Sequence, residues 1–207
     1  MKSKKMIWCV VWAILANFGE PCTLTAQQET IIAIRHGEKP AAGLGQLTCK
    51  GLNRALALPK VLIGRYGKPD LIYAPSPAEK VTDAKNIKYS YVRPLATIEP
   101  TAIQLGLPVN AQIGFTDVSA LQKKLIAKEN EHAVIFLAWE HLMLNKFAQK
   151  MLKKFDKDPS LVPAWPNTEY DRIYVFRISQ NGEKRELTFT IEQENLDGSL
   201  GDHCPVE

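Results

Sequence analysis

Arg35-His36-Gly37 follows the apolar run Thr30-Ile31-Ile32-Ala33-Ile34, which puts an imidazole and a guanidinium where a buried strand ends. That pairing could place a nucleophile and an anion clamp in one pocket: neutral imidazole carries a lone pair, and guanidinium presents a planar fork of donors. Three residues recur by chance, and a histidine at a strand end more often makes an ordinary hydrogen bond or faces solvent. The tripeptide therefore gains meaning only from what converges on it. His141 also follows an apolar run, His132 to Ala138, after the intervening Trp139-Glu140. Arg93, directly before Pro94, sits near a helix start, where the helix dipole favours an anion.

These residues depend on the elements around them. Thr48 offers a cap for a helix carrying Leu52, Ala55, Leu56, Leu62 and Ile63, in which Pro59 is expected to cause a kink or an early end. Asp70 to Tyr73 reads as a short strand stopped by Ala74-Pro75-Ser76-Pro77, and the polar stretch from Glu79 to Lys88 as an exposed excursion. A helix follows Pro94 and stops at Gly106, with Pro100 arguing for a break. Asp117 is placed to cap a helix bearing Val118, Leu121 and Leu125; His132 to Ala138 is a buried strand; Leu144, Phe147, Met151 and Phe155 mark the inner face of the next helix. Asp171 to Ile178 and Leu187 to Ile191 read as two late strands joined across Asn181-Gly182. Strands alternating with helices predict an α/β fold, a three-layer α/β/α sandwich with a mainly parallel sheet. In such sheets ligands collect outside the carboxyl ends of the strands, so the topology itself could bring His36 and His141 together.

The 207 residues suit one domain. Lys2, Lys4 and Lys5 precede an apolar stretch from Met6 to Phe18 that is short for a bilayer span, so residues 1–26 read as a signal peptide and residues 27–207 as the mature domain; an uncleaved amino-terminal anchor is the alternative. Without that leader the formal charge falls from +4 to +2, too little to imply nucleic acid, and small molecules are the expected partners. Export implies a periplasmic or secreted location. Cys9 and Cys22 lie in the leader, leaving Cys49 and Cys204 as an even pair that either bridges or includes a buried free thiol at Cys49. No cysteine or histidine stands at metal-ligand spacing, so no metal is expected.

Taken together, Arg35-His36-Gly37-Glu38 after the first strand, Leu47-Thr48 with Gly51 and Arg54-Ala55, Arg93 with Thr97, and a later strand ending at His141 resemble the histidine phosphatase superfamily, the group that includes phosphoglycerate mutases and acid phosphatases. The sequence is similar to an exported bacterial branch of it. The resemblance implies a phosphoglycerate mutase-like fold and a metal-independent phosphomonoesterase without a cofactor, acting on a small-molecule or sugar phosphate ester. His36 would attack phosphorus in line and become a phosphohistidine that water then hydrolyses, while Arg35, Arg93 and His141 would bind phosphate oxygens. Two features depart from the family pattern. The second histidine usually stands in a glycine-flanked turn, not behind Trp139-Glu140, and the segment between Ser76 and Arg93 is longer than usual.

A leaving alkoxide needs a proton, so a carboxyl group with a raised pKa is expected near the bridging oxygen. Glu140 is preferred as this catalytic acid because Trp139 could desolvate it, although adjacent residues at a strand end point to opposite sides. Asp117 is the alternative acid, but helix capping explains it fully. Trp165 and Tyr170 either wall a pocket or belong to the core. A catalytically silent phosphate-binding module and a phosphomutase are the rival functional readings.

Overall fold

The computed structural model describes residues 28–205. The leader assigned to residues 1–26, with Cys9 and Cys22, lies outside them. Strand β1 (Gln28–Arg35) is central because it is apolar on both faces: Ile31 and Ala33 join one core cluster, Ile32 and Ile34 the other. It pairs in parallel with β6 (Val134–Trp139), which pairs in turn with β2 (Leu71–Tyr73) and through it with β5 (Val109–Asn110). On its other side β1 runs antiparallel to β7 (Arg172–Asn181), which forms a hairpin with β8 (Lys184–Gln193). The six strands lie in the order β5-β2-β6-β1-β7-β8, a mostly parallel sheet with an antiparallel edge.

Helices α1 (Cys49–Tyr66) and α2 (Arg93–Leu105) cover one face through Leu58, Leu62, Ile98 and Ala102. Helices α3 (Val118–Leu125) and α4 (His141–Lys154) cover the other through Leu121, Leu125, Leu144, Phe147 and Met151. This is the three-layer α/β/α sandwich expected from the sequence.

Two local expectations are corrected, and one open alternative is decided. Pro59 and Pro100 lie inside continuous helices and break neither. An interior proline costs about 3 kcal/mol, and here the burial of Leu58, Leu62, Ile98 and Ala102 beside them offsets it. The stretch from Glu79 to Lys88 is no mere excursion: β3 (Lys80–Thr82) and β4 (Lys88–Ser90) form a small antiparallel hairpin whose connection carries a buried carboxylate, Asp83. Cys49 and Cys204 are joined by a disulfide with Cα atoms 4.5 Å apart. The bridge fastens the tail to the start of α1, where Asn53 donates to the carbonyls of Gly201 and His203, both at 2.8 Å. Among the described residues no helix is long and apolar enough to cross a membrane.

Candidate active site

The register of β1 and β6 aligns Arg35 with Trp139, so the residues that follow, His36 on one side and Glu140-His141 on the other, leave the sheet side by side. The His36 amide donates to the Trp139 carbonyl at 3.0 Å and extends the ladder by one step. Beyond it the chain passes hard against the first turn of α1. A Cβ at Gly37 would lie 2.8 Å from the Gly51 carbonyl oxygen, and one at Gly51 would lie 2.5 Å from the Glu38 carbonyl oxygen. Thr97, on α2, completes the bracket: its hydroxyl oxygen accepts from the Gly37 amide at 2.9 Å and its proton goes to the Arg93 carbonyl at 2.8 Å.

His36 is buried, with Nδ1 2.7 Å from the Gly37 carbonyl oxygen. A carbonyl can only accept, so Nδ1 carries the hydrogen and Nε2 keeps its lone pair. Burial pushes the pKa of the ring from 6.5 down to about 3; the Gly37 carbonyl opposes this, and the charges of Arg93 and Arg35 add to it. The result is a neutral imidazole throughout the physiological range.

Both arginines are buried, and each uses only part of its fork. Nη1 of Arg35 donates to the carbonyls of Pro166, Asn167 and Glu169, at 3.2, 2.9 and 2.6 Å, which locks the 166–170 loop to the end of β1. Its Nε and Nη2 have no hydrogen-bond partner among the described residues. Its guanidinium carbon lies 3.9 Å from the centre of the Tyr170 ring. Nη1 of Arg93 donates to Asp83 Oδ2 at 3.2 Å and approaches the Gly43 carbonyl at 3.4 Å, while Nε has no hydrogen-bond partner among the described residues. The second histidine opens α4. Nε2 of His141 lies 2.8 Å from Asn167 Oδ1, and Nδ1 stands 2.6 Å from Glu140 Oε1, a close contact without hydrogen-bond alignment. Both ring nitrogens thus face oxygen acceptors.

The expectation of a raised carboxyl at Glu140 is not met. Burial does push it up, but His141 and the amides of Met143 and Leu142 outweigh that and hold it at about 2. Its Oε2 accepts from the Met143 amide at 2.8 Å, so the side chain is the N-cap of α4. The preferred acid is therefore an ionised carboxylate. Asp117 is exposed and caps α3 by accepting from the Ala120 amide at 2.9 Å. Trp165 belongs to the core, whereas Tyr170 stacks on Arg35.

The sequence reading missed several groups. Tyr91, just beyond β4, is fully buried, its ring edge-on to His36 with centroids 6.1 Å apart. Asn167 faces His141, and Asp83 holds Arg93. Arg54, noted only for its place in the motif, is a buried hub. It meets Glu38 through two bonds of 3.0 and 2.8 Å, Asp171 at 3.2 Å, Glu194 at 2.5 Å, and Asp197. The polar, helix-internal context of Arg54 gave no hint of this, since three of its partners come from the far end of the chain. Among the described residues no group of three or more histidine, cysteine or carboxylate side chains is arranged to hold a metal ion.

No protein-family model and no curated protein sequence matches the chain. Solved structures do. A proposed phosphohistidine phosphatase, SixA, from Nakamurella multipartitia is 14% identical with a TM-score of 0.57, covering 81% of this chain and 97% of its own. A mycobacterial glucosyl-3-phosphoglycerate phosphatase is 13% identical with a TM-score of 0.52, covering 80% and 98%. A protein described as mycobacterial hydrolase 2 is 11% identical with a TM-score of 0.53, covering 80% and 91%. At these identities the likeness is one of fold.

Proposed function

We propose that the chain, which has the fold of the histidine phosphatase superfamily, hydrolyses phosphate monoesters through a phosphohistidine on His36 and needs no metal. The observation that carries this reading is a lone-pair imidazole nitrogen beside buried donors without partners: Nε and Nη2 of Arg35 and Nε of Arg93. Buried polar groups are rarely left unpaired, and a cluster of unpaired donors suits an anion. Nε2 of His36 forms a bond to phosphorus as the bond to the ester oxygen breaks; the departing oxygen leaves as its anion and takes a proton from solvent water, and a water molecule then attacks the phosphohistidine to release phosphate and restore the imidazole. Arg35 and Arg93 bind the non-bridging oxygens, and His141 joins them when a phosphate oxygen takes the place of Asn167 Oδ1 at its Nε2. The substrate class is a small-molecule or sugar phosphate ester. A location outside the cytoplasm is part of the proposal, and the Cys49–Cys204 bridge supports it, since disulfides persist mainly in oxidising compartments.

The test pairs an aryl phosphate substrate with a chelator and a His36→Ala variant. Turnover that resists the chelator and falls at least about a thousandfold in the variant is expected, as for removal of a covalent nucleophile. Activity that survives the substitution, or that vanishes with the chelator, refutes it. The ionised state of Glu140 favours one rival, a silent phosphate-binding module, whose mark would be phosphate affinity without turnover of any ester.

A further inference from the structure

We infer that the Tyr91 hydroxyl is a further substrate-binding group of this site, donating a hydrogen bond to a non-bridging oxygen of the phosphoryl group. The inference rests on the phosphatase reading and deepens it. Tyr91 is fully buried, yet among the described residues its hydroxyl proton has no acceptor: the polar group beside the oxygen is the Arg93 guanidinium, which can only donate. A core aromatic that serves packing alone gains nothing from a hydroxyl, because burying one unpaired is unfavourable, and phenylalanine would fill the same space. The unpaired hydroxyl therefore calls for an acceptor that arrives from outside.

Its surroundings say which kind. The ring is wedged between His36, edge-on at 6.1 Å, and Phe115 at 4.8 Å, with the Arg93 guanidinium carbon 4.8 Å from its centre. The charges that act on the Tyr91 hydroxyl are those of Arg93, Glu140 and Arg35, and the same three act on the His36 imidazole. The hydroxyl thus shares the electrostatic enclosure of the nucleophile. Burial pushes the phenol well above its ordinary value of 10, so it stays protonated and acts as a neutral donor rather than a source of protons. Backbone contacts fix it there: the Tyr91 amide donates to the Glu79 carbonyl at 3.1 Å, and the amides of Val92 and Arg93 both converge on the Gly45 carbonyl. The β3–β4 hairpin, which makes the segment ahead of Arg93 long, is what delivers this residue to the pocket.

Tyr91→Phe isolates the hydroxyl, since the ring contacts with His36, Arg93 and Phe115 survive. The measurements are the affinity for inorganic phosphate and for vanadate, kcat/KM on an aryl phosphate, and Tm without ligand. The expected result is a ten- to hundredfold loss, about what one hydrogen bond to a charged acceptor supplies, in both oxyanion affinity and kcat/KM. Tm of the ligand-free variant should be unchanged or higher, because the buried hydroxyl proton has no acceptor to lose in the empty protein. A merely structural hydroxyl would do the reverse, lowering Tm and leaving oxyanion affinity alone, and that result overturns the inference. So does a variant equal to wild type in every measurement. Wild-type protein that neither binds phosphate nor hydrolyses esters would overturn the phosphatase reading as well, which separates the two failures.

Discussion

Glu140 and His141 illustrate how neighbouring residues can exchange expected roles. A carboxyl beside Trp139 is expected to be desolvated with a raised pKa, but its backbone position at the N-cap of α4 gives it an amide to accept from, and its neighbour gives it an imidazole. The helix start and the His141 contact together win over burial, and Glu140 is held at about 2. An ionised Glu140 cannot protonate a leaving oxygen near neutral pH, which predicts a specific pattern of reactivity. Esters whose leaving group is a weak base, such as aryl phosphates, should turn over at least about a hundred times faster than simple alkyl phosphates, the lower end of what a general acid contributes. The check is a series of phosphate esters graded by leaving-group pKa, with log kcat/KM plotted against it. A flat plot would mean that a proton donor is in place after all, and the ionised carboxylate would no longer describe the working enzyme.

At the scale of elements, the geometry of the candidate site depends on two glycines that let a loop and a helix touch. Gly37 and Gly51 face each other across the gap between the end of β1 and the first turn of α1, where any Cβ would press on backbone rather than on a side chain that could swing away. Gly51→Ala is therefore expected to destabilise the protein by about 1–3 kcal/mol, the usual cost of overpacking, and to reduce kcat/KM more than stability alone explains, because Glu38, Gly37 and His36 lie on the displaced strand exit. Urea unfolding and ester kinetics on the same preparation test this; a variant as stable and active as wild type would show that the loop has room. The strands and helices that frame the site were legible because they rest on local pattern: β1 and β6 are continuous apolar runs, and Thr48, Asp117 and Gly106 mark helix ends. The helix-internal prolines misled because propensity is local, while the burial that offsets it is not. Asp83 against Arg93 and Tyr91 against His36 were illegible for a related reason. Both depend on a hairpin of two three-residue strands, β3 and β4, too short to leave a periodic signal.

Across the whole molecule, Arg54 ties the exit of β1 through Glu38, the entry of β7 through Asp171, and the segment after β8 through Glu194 and Asp197, while the Cys49–Cys204 bridge pins the tail beside it. Four carboxylates surround one guanidinium, so the cluster holds more negative charge than one cation can balance. The most deeply buried member yields: burial, together with Asp171 and Glu38, pushes Glu194 up to about 8 despite Arg54. Glu29, buried against Arg185, is likewise pushed up to about 7 by burial. A carboxyl raised in the folded state holds a proton that the unfolded chain has already lost, so its contribution is complete below its ordinary value of 4.5 and disappears as pH rises through the folded value. His36 works in the opposite sense, adding stability as pH rises from about 3 to its ordinary 6.5, and has no further effect above that. Between pH 6.5 and 8 the two raised carboxyls make the folded state weaken as pH rises, by up to about 1.4 kcal/mol per pH unit for each group still protonated. Urea unfolding at intervals across that range, without reductant, measures the slope, and Glu194→Gln assigns it. The amide keeps the shape and an oxygen acceptor for Arg54 but cannot lose a proton, so the variant's stability should depend less on pH by roughly one proton's worth. A wild-type profile that is flat or rising from pH 6.5 to 8, or a variant with an unchanged slope, would place the charge imbalance somewhere other than the Arg54 cluster.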